Sequence, residues 1–183
     1  MIELEQTLLI GEGGDRVCYL HPEDHTKCIK VTKHNKSSHK NTLLELKAYR
    51  TLQRRNIKPA YIASYFGTTQ TTSGVGYIFE YIDTRSRRIE HLPPEELKDK
   101  IFDLYEKCLN DSVVLRDLSI DNITVGSDGN IRIIDGLGAR ELIPICYWSR
   151  YFARQKLKRK FDSFIKKLEK RTKGWTRPLT GCN

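Results

Sequence analysis

Apolar and polar residues alternate through much of the first eighty positions and recur at helical spacing afterwards. Residues 4–10 and 16–20 read as strands around the glycine-rich GEGGD, and KCIKV (27–31) alternates in the same way. The polar NKSSHKN (35–41) is expected to be a loop. After it, TLLELKAYRTLQRR (42–55) sets Leu43, Leu46, Tyr49 or Arg50, and Leu52 at helical intervals. YIASYFGTT and GVGYIFEYI, joined by QTTSG, predict two more strands. Pro93 and Pro94 open a helix reaching about Asn110, with Leu97, Ile101, Leu104, Tyr105 and Leu109 on one face. GSDGN (126–130) is a hairpin turn leading into the strand IRIID (131–135), and from about Ile145 the pattern is mostly helical. Five strands and one helix thus precede a mainly helical half containing one hairpin. The expectation is an α+β chain of two lobes, 1–82 and 83–183.

Composition narrows this picture without changing it. Over 183 residues, 38% apolar and 30% charged content suits a globular chain with a proper core. No run of about 18 apolar residues is present, so no transmembrane segment is expected. The opening MIELEQTLLI carries acids where a secretory leader would be basic, and the expected compartment is cytoplasmic. Cysteines at 18, 28, 108, 146 and 182 are odd in number and lack metal-type spacing, which predicts reduced, mostly buried thiols. His21, His25, His34, His39 and His91 are spread over polar stretches and read as surface residues.

Charge is uneven. From Ile145 to Asn183 there are twelve Lys/Arg against two acids, so the tail carries the whole excess behind the net +9. Its apolar residues Trp148, Tyr151, Phe152, Leu157, Phe161, Phe164, Ile165 and Leu168 fall on one helical face. That face either completes the core of the short second lobe or leaves residues 145–183 to meet an anionic surface or acidic partner.

The chemistry is concentrated elsewhere. LRDLSIDNITV (115–125) sets Arg116, Asp117, Asp121 and Asn122 inside a strand-forming run, where a core strand has no use for them. An Asp, four residues and an Asn are followed by a hairpin whose second strand ends in Asp135, which turns Asn122 and Asp135 toward each other. Such a carboxylate and carboxamide suit Mg2+, which combines one or two protein oxygens with phosphate and water. Asp117 is then free to orient a hydroxyl or take its proton. Upstream, the IGEGGDRV turn could admit phosphate oxygens to backbone N–H groups, although a plain hairpin explains it equally well. Lys30 in CIKV could simply face solvent. Glu45, fifteen residues on, could instead pair with it and hold its ammonium near a phosphate.

Taken in order, these landmarks resemble the protein-kinase signature set: glycine loop, strand lysine, helix glutamate, H-R-D-x-x-x-x-N loop and D-F-G. CYLHPEDHTKCIKV (18–31), LELKAY (44–49) and LIPICYWSRYFARQKLKRKFDSFI (142–165) are further similar to the bacterial YrbL-type family, the kinase-like PhoP regulatory network proteins. The resemblance implies a minimal two-lobe protein-kinase-like fold using ATP and Mg2+. It implies Asp117, Lys30 and Glu45 as catalytic residues, and Gly11, Gly13, Gly14, Lys30 and Glu80 as nucleotide-binding. Asn122 and Asp135 would be metal ligands.

The pattern departs from that set in several places. The glycine loop is one residue short, with Arg16 near the place of the third glycine. Leu115 replaces the His, Gly136 replaces the Phe of D-F-G, and Ser119 stands where a phosphate-contacting lysine is usual; Arg16, Arg140 or a tail base could compensate. Only Leu137 to Leu142 separate Gly136 from IPICYW, leaving no room for a peptide-docking activation segment. The expected acceptor is therefore a hydroxyl compound other than a docked peptide. The alternatives are a nucleotide-binding pseudokinase acting as a regulatory module, and a nucleic-acid binder using its tail.

Overall fold

The computed structural model describes residues 1–83, 89–138 and 150–171. A short 3-10 turn at Gln6–Leu8 precedes the first strand, so the expected strand over residues 4–10 begins only at Leu9. The elements that follow are β1 (Leu9–Glu12), β2 (Arg16–Leu20), β3 (Lys27–Thr32), α1 (Lys36–Arg54), β4 (Tyr65–Thr71) and β5 (Gly74–Glu80). They form one antiparallel sheet in the order β1-β2-β3-β5-β4. Helix α2 (Pro94–Asn110), the hairpin β6 (Ile123–Val125) and β7 (Ile131–Ile133), and helix α3 (Arg150–Arg171) complete the described chain. The arrangement is α+β, with the large antiparallel sheet in the N-terminal part.

Helix α1 starts six residues earlier than its apolar pattern suggests. Asn35 caps it by accepting the Ser38 N–H at 2.8 Å, so the supposed polar loop is the first turn of a helix. Polar residues suffice there because Ser38, Asn41 and Thr42 are buried against polar partners rather than hydrocarbon. Leu43 is 64% exposed, so it lies off the face that Leu46, Tyr49 and Leu52 bury. Tyr49, Tyr65 and Phe79 form a tilted aromatic cluster with centroids 5.2–5.6 Å apart, which packs α1 on the sheet.

The second half is joined to the first along the backbone. Ala63 N–H donates to Ile133 O at 2.8 Å and Ile133 N–H donates to Tyr61 O at 2.8 Å. Leu97, Ile101 and Leu104 of α2 are buried, as their spacing predicts. Helix α3 buries Leu157, Phe161, Phe164, Ile165 and Leu168, and Phe161 meets Tyr105 of α2 edge-on at 5.2 Å. The apolar stripe of the tail therefore completes the core. Tyr151 and Phe152 do not follow it, being 66% and 52% exposed; Trp148 and Arg140 lie outside the described residues. Among the described residues no helix is long and apolar enough to cross a membrane. Cys28 and Cys108 are buried and Cys18 is half-buried, all as free thiols; Cys146 and Cys182 lie outside the described residues. Of the histidines, His21 is half-buried and the other four are exposed.

Candidate active site

A cleft of about 860 Å³ lies between the sheet and the loop that precedes β6. Gly11, Gly13, Gly14, Lys30, Glu80, Asp117, Asn122 and Asp135 all line it, together with Arg16, Cys18, Asn41, Arg116, Ser119 and Asp121. Strand parity explains the sheet's share. In the β2–β3 ladder Arg16 is opposite Thr32, Cys18 is opposite Lys30, and Leu20 is opposite Cys28. Directly paired residues point to one face, so Arg16, Cys18, Cys28 and Lys30 all project toward α1 and the cleft.

The glycine-rich turn joins β1 to β2, closed by Gly13 N–H donating to Arg16 O at 2.9 Å. Asp15 ties this turn to α1, accepting from Ser38 Oγ at 3.0 Å and Asn41 Nδ2 at 2.7 Å. Gly14 lies in the turn and Gly11 near the end of β1, and neither place forces a glycine. Neither has a positive φ, and no described heavy atom would meet a Cβ within 4 Å at either position.

The expected Lys30–Glu45 ion pair is not formed; Arg16 takes the glutamate instead. Arg16 Nη1 meets Glu45 Oε2, and Arg16 Nη2 donates to Asp135 Oδ2. Arg16 is 8% exposed and Glu45 1%. A carboxylate buried this far needs a counter-ion, and a weakly hydrated guanidinium tolerates burial better than an ammonium. Burial pushes the Glu45 carboxyl above its ordinary range, with Arg16 pulling it back. Lys30 turns to the wetter end of the cluster. Its Nζ donates to Ile134 O at 2.8 Å, lies 3.8 Å from Asp135 Oδ2, and sits 4.7 Å over the Phe79 ring. Burial raises the Asp135 carboxyl, but Lys30, Arg16 and the Gly136 N–H outweigh it and hold the group at about 2. Asp135 is therefore an ionised carboxylate at neutral pH, although both cations already claim it.

The loop after α2 is fixed from three sides. Gly136 O accepts the N–H groups of Arg116 and Asp117 at 2.7 and 3.1 Å. Arg116 Nη1 donates to Asn41 O of α1 at 3.0 Å, and Lys160 Nζ of α3 donates to Arg116 O. Asn122 Nδ2 donates to Asp117 Oδ2 at 3.1 Å, and Ile134 N–H donates to Asn122 O at 2.9 Å. The Asn122 amide thus spends its donor end on Asp117, which leaves its carbonyl oxygen as the atom it can offer a cation. Asp117 is exposed at the cleft. Among the described residues no three His, Cys, Asp or Glu side chains converge as a metal cage. Asp135 and Asn122, which line the same cleft, could instead supply the one or two protein oxygens that Mg2+ needs when phosphate and water supply the rest.

Glu80 lines the cleft with its carboxylate already committed. It accepts from Arg132 Nη2 at 2.8 and 2.9 Å and from Ser64 N–H at 3.0 Å, joining β5 to β7. Two residues carry more of the site than the sequence suggested. Arg16 stood out in the sequence as an irregularity of the glycine loop and as one of several cations that could compensate for Ser119; its even-numbered parity with Cys18 and Lys30 was the available signal for its place beside Glu45. Asn41, holding both Asp15 and Arg116, had none.

The chain is 30% identical over 182 residues to the YrbL protein of Escherichia coli K12, covering 90% of this chain and 87% of that one. It is 27% identical over 139 residues to a Dictyostelium discoideum protein named "probable serine/threonine-protein kinase", covering 69% of this chain and 30% of that protein. Similarity to mouse cyclin-dependent kinase-like 5 is 26% over 151 residues, covering 73% and 15%. The profile of the family described as PhoP regulatory network protein YrbL matches residues 2–169. This chain, with its kinase-like α+β fold, belongs to the YrbL family of PhoP regulatory network proteins.

Proposed function

We propose that the protein is an ATP- and Mg2+-dependent phosphotransferase acting on a hydroxyl acceptor other than a docked peptide. The carrying observation is that Gly11, Gly13, Gly14, Lys30, Asp117, Asn122 and Asp135 share one cleft of about 860 Å³. Phosphoryl transfer asks for positioning and charge neutralisation rather than covalent chemistry, and these residues supply both. The open space beside Gly11 and Gly14 lets phosphate oxygens approach the turn without meeting a Cβ. Lys30, 11% exposed at the cleft, brings an ammonium to the phosphates. Asp135 and Asn122 would hold Mg2+, whose charge would offset that of the transferring group. Asp117, oriented by Asn122, accepts the hydroxyl proton.

One observation favours a second reading, a nucleotide-binding module without turnover: Arg16 and Lys30 both stand on the carboxylate that would hold the metal. Thermal stability with and without Mg-ATP, followed by phosphate release, separates the two for the parent, Asp117→Ala and Asp135→Asn. The phosphotransferase reading expects stabilisation by Mg-ATP in the parent. Asp135→Asn should lose its metal-dependent part, and Asp117→Ala should keep binding but lose turnover. Stabilisation without any transfer or hydrolysis in the parent favours the regulatory module. No response to nucleotide sinks both.

A further inference from the structure

We propose that Arg16 is a phosphate-binding residue of this cleft, and that it rests on Asp135 only while no divalent ion does. The inference deepens the phosphotransferase reading and rests on it. Its basis is the way the guanidinium is divided. Nη1 faces Glu45 and Nη2 faces Asp135, so the two contacts use different nitrogens. Glu45 is 1% exposed and fixed on α1, whereas Asp135 is 28% exposed at the cleft. The Glu45 contact is the anchor and the Asp135 contact is the exchangeable one.

A divalent ion on Asp135 would sit against two cations, Arg16 and Lys30, in a poorly solvated place. Like charges at that range repel strongly, so metal and Arg16 compete for the same carboxylate oxygen. Once displaced, Arg16 need not leave Glu45. A rotation about that ion pair carries Nη2 into the cleft, which Arg16 already lines. A guanidinium anchored at one nitrogen and open at the other is suited to a phosphate oxygen. Glu45 would then serve Arg16 as the signature has it serve the strand lysine. The arginine would also restore a cation to a loop that carries Ser119.

The test uses two ligands: Mn2+ alone, followed by electron paramagnetic resonance, and ATP at saturating Mg2+, followed by calorimetry. Arg16→Met with Glu45→Gln removes the buried charges together, so that no carboxylate is left unpaired; Arg16→Lys keeps one charge without the fork. Circular dichroism checks that each variant is folded. The double variant should bind Mn2+ at least tenfold more tightly than the parent and ATP at least tenfold more weakly. Arg16→Lys should match the parent for Mn2+ and lose ATP affinity only in part. A residue with a merely structural role moves both affinities the same way, and that result, or an unchanged Mn2+ affinity, would overturn the proposal. A parent that binds Mn2+ but no nucleotide overturns the phosphate half together with the phosphotransferase reading. A parent that binds ATP as well as the double variant does overturns this proposal alone.

Discussion

Gly136 lies directly against Asp117: a Cβ at position 136 would fall 2.1 Å from the Asp117 carbonyl oxygen. The same virtual atom comes 3.1 Å from Asn122 Nδ2, and the glycine itself has φ +88°. This explains why the residue after Asp135 is not the phenylalanine of the kinase signature. The chain here folds back under the loop bearing Asp117, with no room for a side chain. Backbone meets backbone, so no rotamer change relieves the contact.

Gly136→Ala should therefore be strongly destabilising. Both the left-handed backbone and the clash oppose it, and together they should cost at least about 2 kcal/mol. For a chain of this size that is about 4 °C or more in Tm. Urea and thermal unfolding of the parent and variant measure it, and a variant as stable as the parent would show that the loop can shift freely.

Gly14→Ala should behave in the opposite manner. Nothing described would touch the new methyl group and the backbone is not in the left-handed region. Stability should stay within about 0.5 kcal/mol of the parent. What should change is the response to Mg-ATP, because the methyl group stands where a phosphate oxygen would approach. Loss of most of the Mg-ATP thermal shift, at unchanged intrinsic Tm, is the expected pair of results. An undiminished shift would take the turn out of the binding site.

The two glycines also mark what the sequence could and could not tell. The turn at 11–14 and the hairpin at 126–130 were readable from local chemistry, as was α2, because Pro94 and a stripe of Leu97, Ile101 and Leu104 act within one element. The start of α1 was not, since its first turn is polar and is recognised by a cap rather than by apolar spacing. Nor was the partner of Glu45. Lys30 and Arg16 point to one face, and which of them reaches a buried carboxylate depends on side-chain length and hydration across three elements. The candidate site was legible as a set of residues and illegible as a set of pairs.

Helix α3 offers a test of what the basic tail is for. Phe161 is fully buried against Tyr105, while Phe152 on the same helix is 52% exposed. Phe161→Ala should cost about 3–5 kcal/mol, as for a large aromatic removed from a packed core. Phe152→Ala should change stability by about 0.5 kcal/mol or less. Denaturant midpoints for the two variants decide between them. Equal, small effects would mean that α3 does not complete the core.

Cys18 should be the most reactive of the three described thiols. Cys28 and Cys108 are 4% and 0% exposed, and both are pushed well above the ordinary thiol range, Cys28 chiefly by the neighbouring Cys18 thiol and Cys108 by burial. Cys18 is half-buried at the cleft and shifted the other way. The neighbouring Cys28 thiol lowers its value most; burial raises it, and Lys30 and Arg16 pull it down again. The thiolate is the nucleophile, so a lowered value means more of it at a given pH. Iodoacetamide should label Cys18 ahead of Cys28 and Cys108, as mapped by mass spectrometry. Its rate should rise with pH through a midpoint below that of an ordinary cysteine, and fall when Mg-ATP fills the cleft. The Arg16→Met, Glu45→Gln variant should move that midpoint upward, because one of the two nearby cations is gone. Labelling of Cys28 at the same rate, or a midpoint above the usual range, would mean that the thiol pair is not poised as its surroundings dictate.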